Sequence, residues 1–148
     1  MPHARVRDFM TTEPVTLHDD DRLREAVEMV MVRRIRHIPI LDAQQRLVGI
    51  VTDRDIKRTL PSPLVSSARE EYEALLETTA ISRVMSPDPM TVDADSDVAD
   101  AVELLVQNRI GGLPVMENDT LVGVFTERDA LRGYVELLQA LQKAEAAG

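Results

Sequence analysis

An offset of 75 positions lays one part of this sequence over another. Met10 falls on Met85, and Pro14, Thr16, Asp20, Ala26, Val27, Glu28, Arg34, Ile35 and Pro39 fall on Pro89, Thr91, Asp95, Ala101, Val102, Glu103, Arg109, Ile110 and Pro114. One residue is then lost in a turn, and an offset of 74 carries Leu47, Val48, Gly49, Thr52, Arg54, Asp55 and Arg58 onto Leu121, Val122, Gly123, Thr126, Arg128, Asp129 and Arg132. Similarity at a fixed period marks a chain built from two copies of one unit. The copies span 6–60 and 81–135, with a linker at 61–80 and an extension at 136–148.

Each copy has the same local grammar. A short extended segment (Pro14 to Leu17; Pro89 to Val92) runs into an acidic cluster, Asp19 to Asp21 or Asp95 with Ser96, which is expected to cap a helix. Leu23, Ala26, Val27, Val30 and Met31, and likewise Val98, Ala101, Val102, Leu105 and Val106, recur with the spacing of one buried helical face. Two β-rich runs follow, His37 to Leu41 and Leu47 to Thr52, matched by Leu113 to Met116 and Leu121 to Thr126; a second helix starts near Asp53 and near Glu127. Each copy therefore reads β-α-β-β-α, an α/β (α+β) unit too small to bury both faces alone. In the linker, the prolines of Pro61-Ser62-Pro63 stop the preceding helix, and Ser67-Ala68-Arg69-Glu70 has the form of a capping box ahead of a partly helical stretch. Tyr134, Val135, Leu137, Leu138 and Leu141 continue the last helix with an apolar stripe, and residues 143–148 are expected to fray.

Composition narrows the partners. Twenty-six acidic against 17 basic side chains give 148 residues a net charge of −9, a poor match for nucleic acid, and two Phe, two Tyr and no Trp leave no platform for stacking bases. The charge is uneven: residues 1–60 hold 11 basic and 10 acidic side chains, residues 61–148 hold 6 and 16. There is no cysteine for a disulfide or thiolate site, and His3, His18 and His37 form no metal-ligand pattern. Charges interrupt every apolar stretch well short of the ~20 residues that span a bilayer, and no signal-type run follows Met1. The expectation is a cytoplasmic protein that neither crosses a membrane nor is exported.

The turn Thr52-Asp53-Arg54-Asp55, repeated as Thr126-Glu127-Arg128-Asp129, stands where a strand ends and a helix begins. The first turn of a helix presents unpaired N–H groups and the positive end of its dipole, which suit an anion. A threonine hydroxyl and an arginine there suit phosphate, and an aspartate accepts hydrogen bonds from vicinal sugar hydroxyls. Thr-x-x-Asp is equally a capping-box signal, in which Thr caps and Asp answers the backbone. Capping gives no reason for the arginine in both copies, although duplication preserves residues without function. Arg33 and Arg34 are explained as well by the helix dipole as by a ligand. No nucleophile and base pair in a recognisable motif, and no phosphate loop of the Gly-Lys-Thr/Ser kind occurs, so an enzyme is not expected.

The doubled pattern Met-Thr-x-x-Pro-Val-Thr-Leu, amphipathic helix, Arg-Ile-x-x-Ile-Pro-Ile and Gly-x-x-Thr-x-x-Asp resembles a tandem pair of CBS domains over essentially the whole chain. Pro61-Ser62-Pro63-Leu64 and Arg109-Ile110-Gly111-Gly112-Leu113-Pro114-Val115 are similar to the CBS pair of acetoin-utilisation-type proteins. The resemblance implies two repeats related by a pseudo-twofold axis, forming one CBS-pair module that is regulatory and non-catalytic. It implies an adenine nucleotide (AMP, ADP or ATP) in the cleft between the repeats, with no cofactor required and Mg2+ as an optional companion of the nucleotide. Carried over by position, the first site uses Thr52, Arg54 and Asp55, with Arg36 or His37 near the phosphates and Met85, Met90 and Ile110 against the base. The second uses Thr126, Arg128 and Asp129 with Met10, Val15 and Ile35, and has Gly111 and Gly112 where the first has Arg36 and His37. The first site is thus expected to hold the more highly phosphorylated nucleotide, the second to bind weakly or not at all. A homodimer of such pairs is expected, along with a regulated enzyme or transporter as partner. Two other readings stay open: a dimerisation or docking module with vestigial sites, and a binder of another adenosyl ligand such as S-adenosylmethionine.

Overall fold

In the computed structural model, which describes residues 4–62 and 68–148, the chain forms two compact units, one comprising Pro14–Pro89 and the other the residues up to Glu13 together with Met90–Gly148. The chain opens with α1 (Val6–Phe9) and β1 (Thr11–Thr12), which belong to the second of these. The first unit then holds β2 (Leu17–His18), α2 (Leu23–Met31), β3 (His37–Leu41), β4 (Leu47–Thr52), α3 (Asp53–Thr59), α4 (Arg69–Thr78), a 3-10 turn at Ile81–Arg83 and β5 (Ser86–Pro87). The second resumes with β6 (Val92–Asp93), α5 (Val98–Asn108), β7 (Gly112–Glu117), β8 (Thr120–Thr126) and α6 (Glu127–Ala147). The fold is mixed α and β.

Both units solve the same packing problem in the same way. The helix after the opening strand carries the chain back to a parallel neighbour, β2 to β3 and β6 to β7, as a parallel pair requires. A hairpin follows, β3 with β4 and β7 with β8, each with one irregularity, between Ile40 and Leu41 and between Val115 and Met116. The repeat alone accounts for three strands, yet each sheet has four, in the orders β2-β3-β4-β5 and β1-β8-β7-β6. The fourth strand comes from the start of the other repeat: β5 pairs with β4 and β1 with β8, both antiparallel. These two-residue strands cover an edge that would otherwise expose unpaired backbone, and Pro87, which has no N–H to donate, is tolerated on the outermost strand.

The first core is aliphatic, built from Leu17, Leu23, Ala26, Ile38, Ile40, Val51, Ile56, Leu76, Ile81 and Val84. The second gathers Val6, Val92, Ala94, Ala101, Leu105, Leu113 and Val115 around Phe125, which takes the place that Val51 has in the first repeat. Caps differ from expectation. The α5 cap is Asp97, whose carboxylate accepts from Ala99 N–H at 2.8 Å, and α2 begins after Arg22, whose N–H bonds to Glu25 at 3.1 Å. Asp21 accepts instead from His18 N–H at 2.8 Å, and the Asp95 N–H donates to Asp93, so the acidic clusters tie the turns that precede the helices. Arg109 caps the end of α5 in the left-handed region, with φ of 53°, and Arg34 adopts the same conformation, with φ of 56°, in the turn two residues after the Val32 cap of α2. The expected capping box of the linker involves Ser67, which lies outside the described residues. In the C-terminal tail, α6 continues through Ala147.

The N-terminal segment is held to its unit by charge as well as by strand pairing. Arg7 donates from Nε to Asp95 at 2.9 Å and from Nη2 to Glu117 at 3.0 Å, and Arg5 donates to the Asp95 carbonyl at 2.6 Å. The hydrogen bond from Arg7 holds the Asp95 carboxyl below its ordinary value. A depressed carboxyl contributes stability that is present above its unfolded pKa and is lost as the pH falls through the folded one. Arg7→Gln is therefore expected to lower stability slightly at pH 7, and urea titrations at decreasing pH are expected to show the difference closing below the ordinary aspartate range. A difference that stays constant into acid contradicts this tether.

Candidate functional site

Thr52 closes β4 and caps α3: its hydroxyl accepts from Asp55 N–H at 3.4 Å, while the Asp55 carboxylate accepts from Thr52 N–H at 2.9 Å and from Thr52 Oγ at 3.1 Å. Thr126 and Asp129 repeat this at the start of α6, with distances of 3.2, 2.9 and 3.1 Å. The capping role left open by the sequence is thus realised in both repeats. What capping does not explain is the depth of the carboxylates, which are only 6% and 2% exposed at Asp55 and Asp129. Burying a carboxylate is costly unless it is well hydrogen-bonded. The additional bond comes from the opening segment of the other repeat: Ser86 Oγ donates to Asp55 Oδ1 at 3.1 Å, and Thr11 Oγ donates to Asp129 Oδ1 at 3.1 Å and Oδ2 at 3.3 Å.

These two hydroxyl residues were not among the expected site residues. Their signal was present, since Thr11 and Ser86 occupy the same position of the repeat and directly follow Met10 and Met85. The methionines have a packing role beside them. A Cβ added at Gly49 would sit 2.4 Å from the Met85 sulfur, and one at Gly123 would sit 2.8 Å from the Met10 sulfur and 2.7 Å from the Thr11 carbonyl oxygen. The glycine of Gly-x-x-Thr-x-x-Asp therefore lets the opening segment lie directly on the strand. Gly123→Ala is expected to cost about 1–3 kcal/mol, because it meets backbone that cannot retreat without breaking the β1 pairing. Gly49→Ala meets a flexible side chain and is expected to cost less. Chemical denaturation of the two variants checks the order, and an equal or reversed cost contradicts it.

The remaining expected residues divide between the units. Arg36, His37, Thr52, Arg54, Asp55 and Met85 share the first, along with Val15 and Ile35; Met10, Gly111, Gly112, Thr126, Arg128 and Asp129 share the second, along with Met90 and Ile110. His37 pairs with Thr52 across the hairpin, so the basic pair Arg36-His37 stands beside the turn of the first unit. Gly112 pairs with Thr126 in the same way, and the Gly111 carbonyl accepts from Glu127 N–H at 2.9 Å. The first amide of α6 is thereby occupied, and no cation stands where Arg36 does. Arg54 and Arg128 are exposed, in the first turn of α3 and α6. Among the described residues no group of three or more His, Cys, Asp or Glu is placed to hold a metal ion, and no helix is long and apolar enough to cross a membrane.

Comparison with known proteins places these turns in context. The family model described as CBS domain matches residues 6–62 and again 81–136. A CBS domain-containing protein of Dictyostelium discoideum is 29% identical over 135 residues, covering 90% of this chain and 93% of that protein. Inosine-5'-monophosphate dehydrogenase of Methanocaldococcus jannaschii is 30% identical over 86% of this chain, which spans only 22% of that enzyme. Among solved structures, an acetoin utilization protein (AcuB) from Vibrio cholerae superposes with a TM-score of 0.80 at 30% identity, covering 96% of this chain and 98% of that one. The CBS domain pair of protein MJ0100, solved in complex with 5'-methylthioadenosine and S-adenosyl-L-methionine, gives a TM-score of 0.74 at 26% identity over 91% of this chain and 98% of that one.

Proposed function

Because the chain belongs to the CBS-domain family and carries two such domains, we propose that it is a non-catalytic regulatory module whose two Thr-x-x-Asp turns bind an adenosine-containing ligand, with adenine nucleotides as the leading class. The observation that carries this reading is the buried aspartate that recurs in both repeats with the same hydroxyl partners and an exposed arginine one residue before it. A carboxylate is acceptor-only when ionised and suits the vicinal hydroxyls of a ribose. The adenosyl ligands of the MJ0100 pair support the class. Arg36 and His37 beside Thr52 favour the phosphate chain at the first turn, whereas the second has Gly111 and Gly112 in their place, with Arg128 and with Arg132 3.9 Å from Asp129 Oδ1.

Calorimetric titration with adenosine, AMP, ADP, ATP and S-adenosylmethionine tests this. The expected result is tighter binding as phosphates are added, with Arg36→Ala and Arg54→Ala weakening ATP but sparing adenosine. No heat and no melting shift with any of these at millimolar concentration overturns the reading. Selective binding of S-adenosylmethionine, unaffected by either arginine, reassigns the ligand within the adenosyl class.

One observation favours a second role, self-association. From Tyr134 onwards every residue of α6 is exposed, and Leu131, Tyr134, Val135, Leu137, Leu138 and Leu141 are 40–66% exposed. A helix segment of this length is marginal in water without packing, and its apolar face calls for a partner. We infer that a second copy of the chain covers it, since from Leu131 to Leu141 the stripe is apolar and an identical stripe matches it, with charge on that face only toward its ends at Glu127 and Glu145. Light scattering is expected to give a dimer that Leu138→Glu dissociates; a wild-type monomer at micromolar concentration contradicts it.

A further inference from the structure

The hydroxyls of Thr11 and Ser86 occupy acceptor positions that a ligand's diol needs. An ionised carboxylate offers about four lone-pair positions. At Asp129 they take Thr126 N–H, Thr126 Oγ and the Thr11 Oγ, which divides itself between both oxygens; at Asp55 they take Thr52 N–H, Thr52 Oγ and Ser86 Oγ. One position is left at each, and at Asp129 the Arg132 guanidinium stands 3.9 Å from Oδ1, beyond hydrogen-bond distance. A single hydroxyl fits there, but a vicinal diol, which donates two hydrogen bonds, does not. The threonine of the turn is held in place on both sides, its N–H donating to the carboxylate and its oxygen accepting the helix N–H, so its hydroxyl stays against the aspartate. Thr11 can yield, since it is exposed on a two-residue edge strand, and Ser86 sits in the same place in the other unit.

We propose that Thr11 and Ser86 are built-in competitors for the ligand's sugar, each holding its carboxylate closed until a vicinal diol displaces the hydroxyl. This rests on the adenosine-binding reading above and adds its regulation: affinity is set by a segment of the opposite repeat, so occupancy of a turn is coupled to the side chain that edges its sheet. The coupling is specific to diols. A 2'-deoxynucleoside, which keeps only one hydroxyl of the vicinal pair, uses the position already free and displaces nothing.

The test compares adenosine with 2'-deoxyadenosine by calorimetry on the full chain, using wild type, Thr11→Val, which keeps the shape and removes the donor, and Ser86→Ala. One hydrogen bond to a charged group contributes about 1.5–3 kcal/mol, so removing the competitor is expected to tighten adenosine by about 10–150-fold and leave 2'-deoxyadenosine unchanged. Thr11→Ser, which keeps the donor, is expected to bind both as wild type does, and it separates competition from any loss of strand β1. Weaker or unchanged adenosine binding in Thr11→Val, with Thr11→Ser normal, overturns the proposal. So does equal tightening of both nucleosides. If wild type binds no adenosine ligand at all, the functional reading fails first, whereas binding without this pattern overturns the competitor role alone.

Discussion

Phe125→Ala is expected to lower stability by about 3–5 kcal/mol, the largest effect of any single truncation in either core. Phe125 is fully buried on β8, among Val6, Leu105, Leu113 and Val115, in a core whose other buried members are aliphatic and against whose edge Phe9 packs. The cost comes in two parts: the transfer of a large apolar side chain back toward water, and the cavity left by a residue that small neighbours cannot fill. The first repeat has Val51 at the equivalent place, so its core is sized for a smaller residue and Val51→Ala is expected to cost less. Phe125→Val therefore transplants the first repeat's residue into the second repeat's cavity, and is expected to be intermediate. Chemical denaturation distinguishes these. If Phe125→Val costs as little as a surface change, the two cores are not packed to different sizes. Because Thr126 follows directly, Phe125→Ala is also expected to loosen the turn that holds Asp129.

Asp129→Ala is the second large effect. It removes the acceptor of Thr126 N–H, Thr126 Oγ and Thr11 Oγ at once, ending the reciprocal half of the α6 capping box and one of the contacts that hold β1. Hydrogen bonds to a charged group are worth about 1.5–3 kcal/mol, and buried donors left unpaired add to the loss. A total near 3 kcal/mol is expected from these sources. Asp129→Asn keeps one acceptor oxygen and is expected to recover part of it. Asp55→Ala acts on the same bonds in the first unit, with Ser86 in place of Thr11, at a residue slightly more exposed. Denaturation curves of the four variants check the pattern. Asp129→Ala at wild-type stability would mean that the buried carboxylate contributes nothing to the fold, and the account of its depth would fall.

Much of this architecture is legible in the sequence because the signals are local. The runs at His37–Leu41 and Leu47–Thr52 and the helix starts at Asp53 and Glu127 follow from periodicity and from the Thr-x-x-Asp cap, and the structure has them at those residues. The fourth strand of each sheet does not follow, for a physical reason. A two-residue strand has no readable period, and its partner lies far along the chain, as Thr11 does from Val124. The resemblance places Met10 and Met85 against a base, and the structure gives each a packing role on the strand glycine of its own unit. Thr11 and Ser86 directly follow them, and their shared place in the repeat marks them as plainly as Thr52 and Thr126. Cap positions were misplaced by one or two residues, since a row of aspartates can cap a helix or close the turn before it with similar chemistry.

The central claim, that the paired aspartates are ligand acceptors as well as helix caps, is tested most directly by titrating adenosine and ATP into the wild-type chain and into the Asp55→Asn/Asp129→Asn double variant. Circular dichroism is recorded on both samples to establish that they are folded. The account predicts saturable heat for the wild type and at least a tenfold weaker response in a folded double variant, the loss of about 1.4 kcal/mol or more expected when a charged acceptor is removed. Equal affinity in the two proteins would contradict it, leaving the aspartates as caps alone.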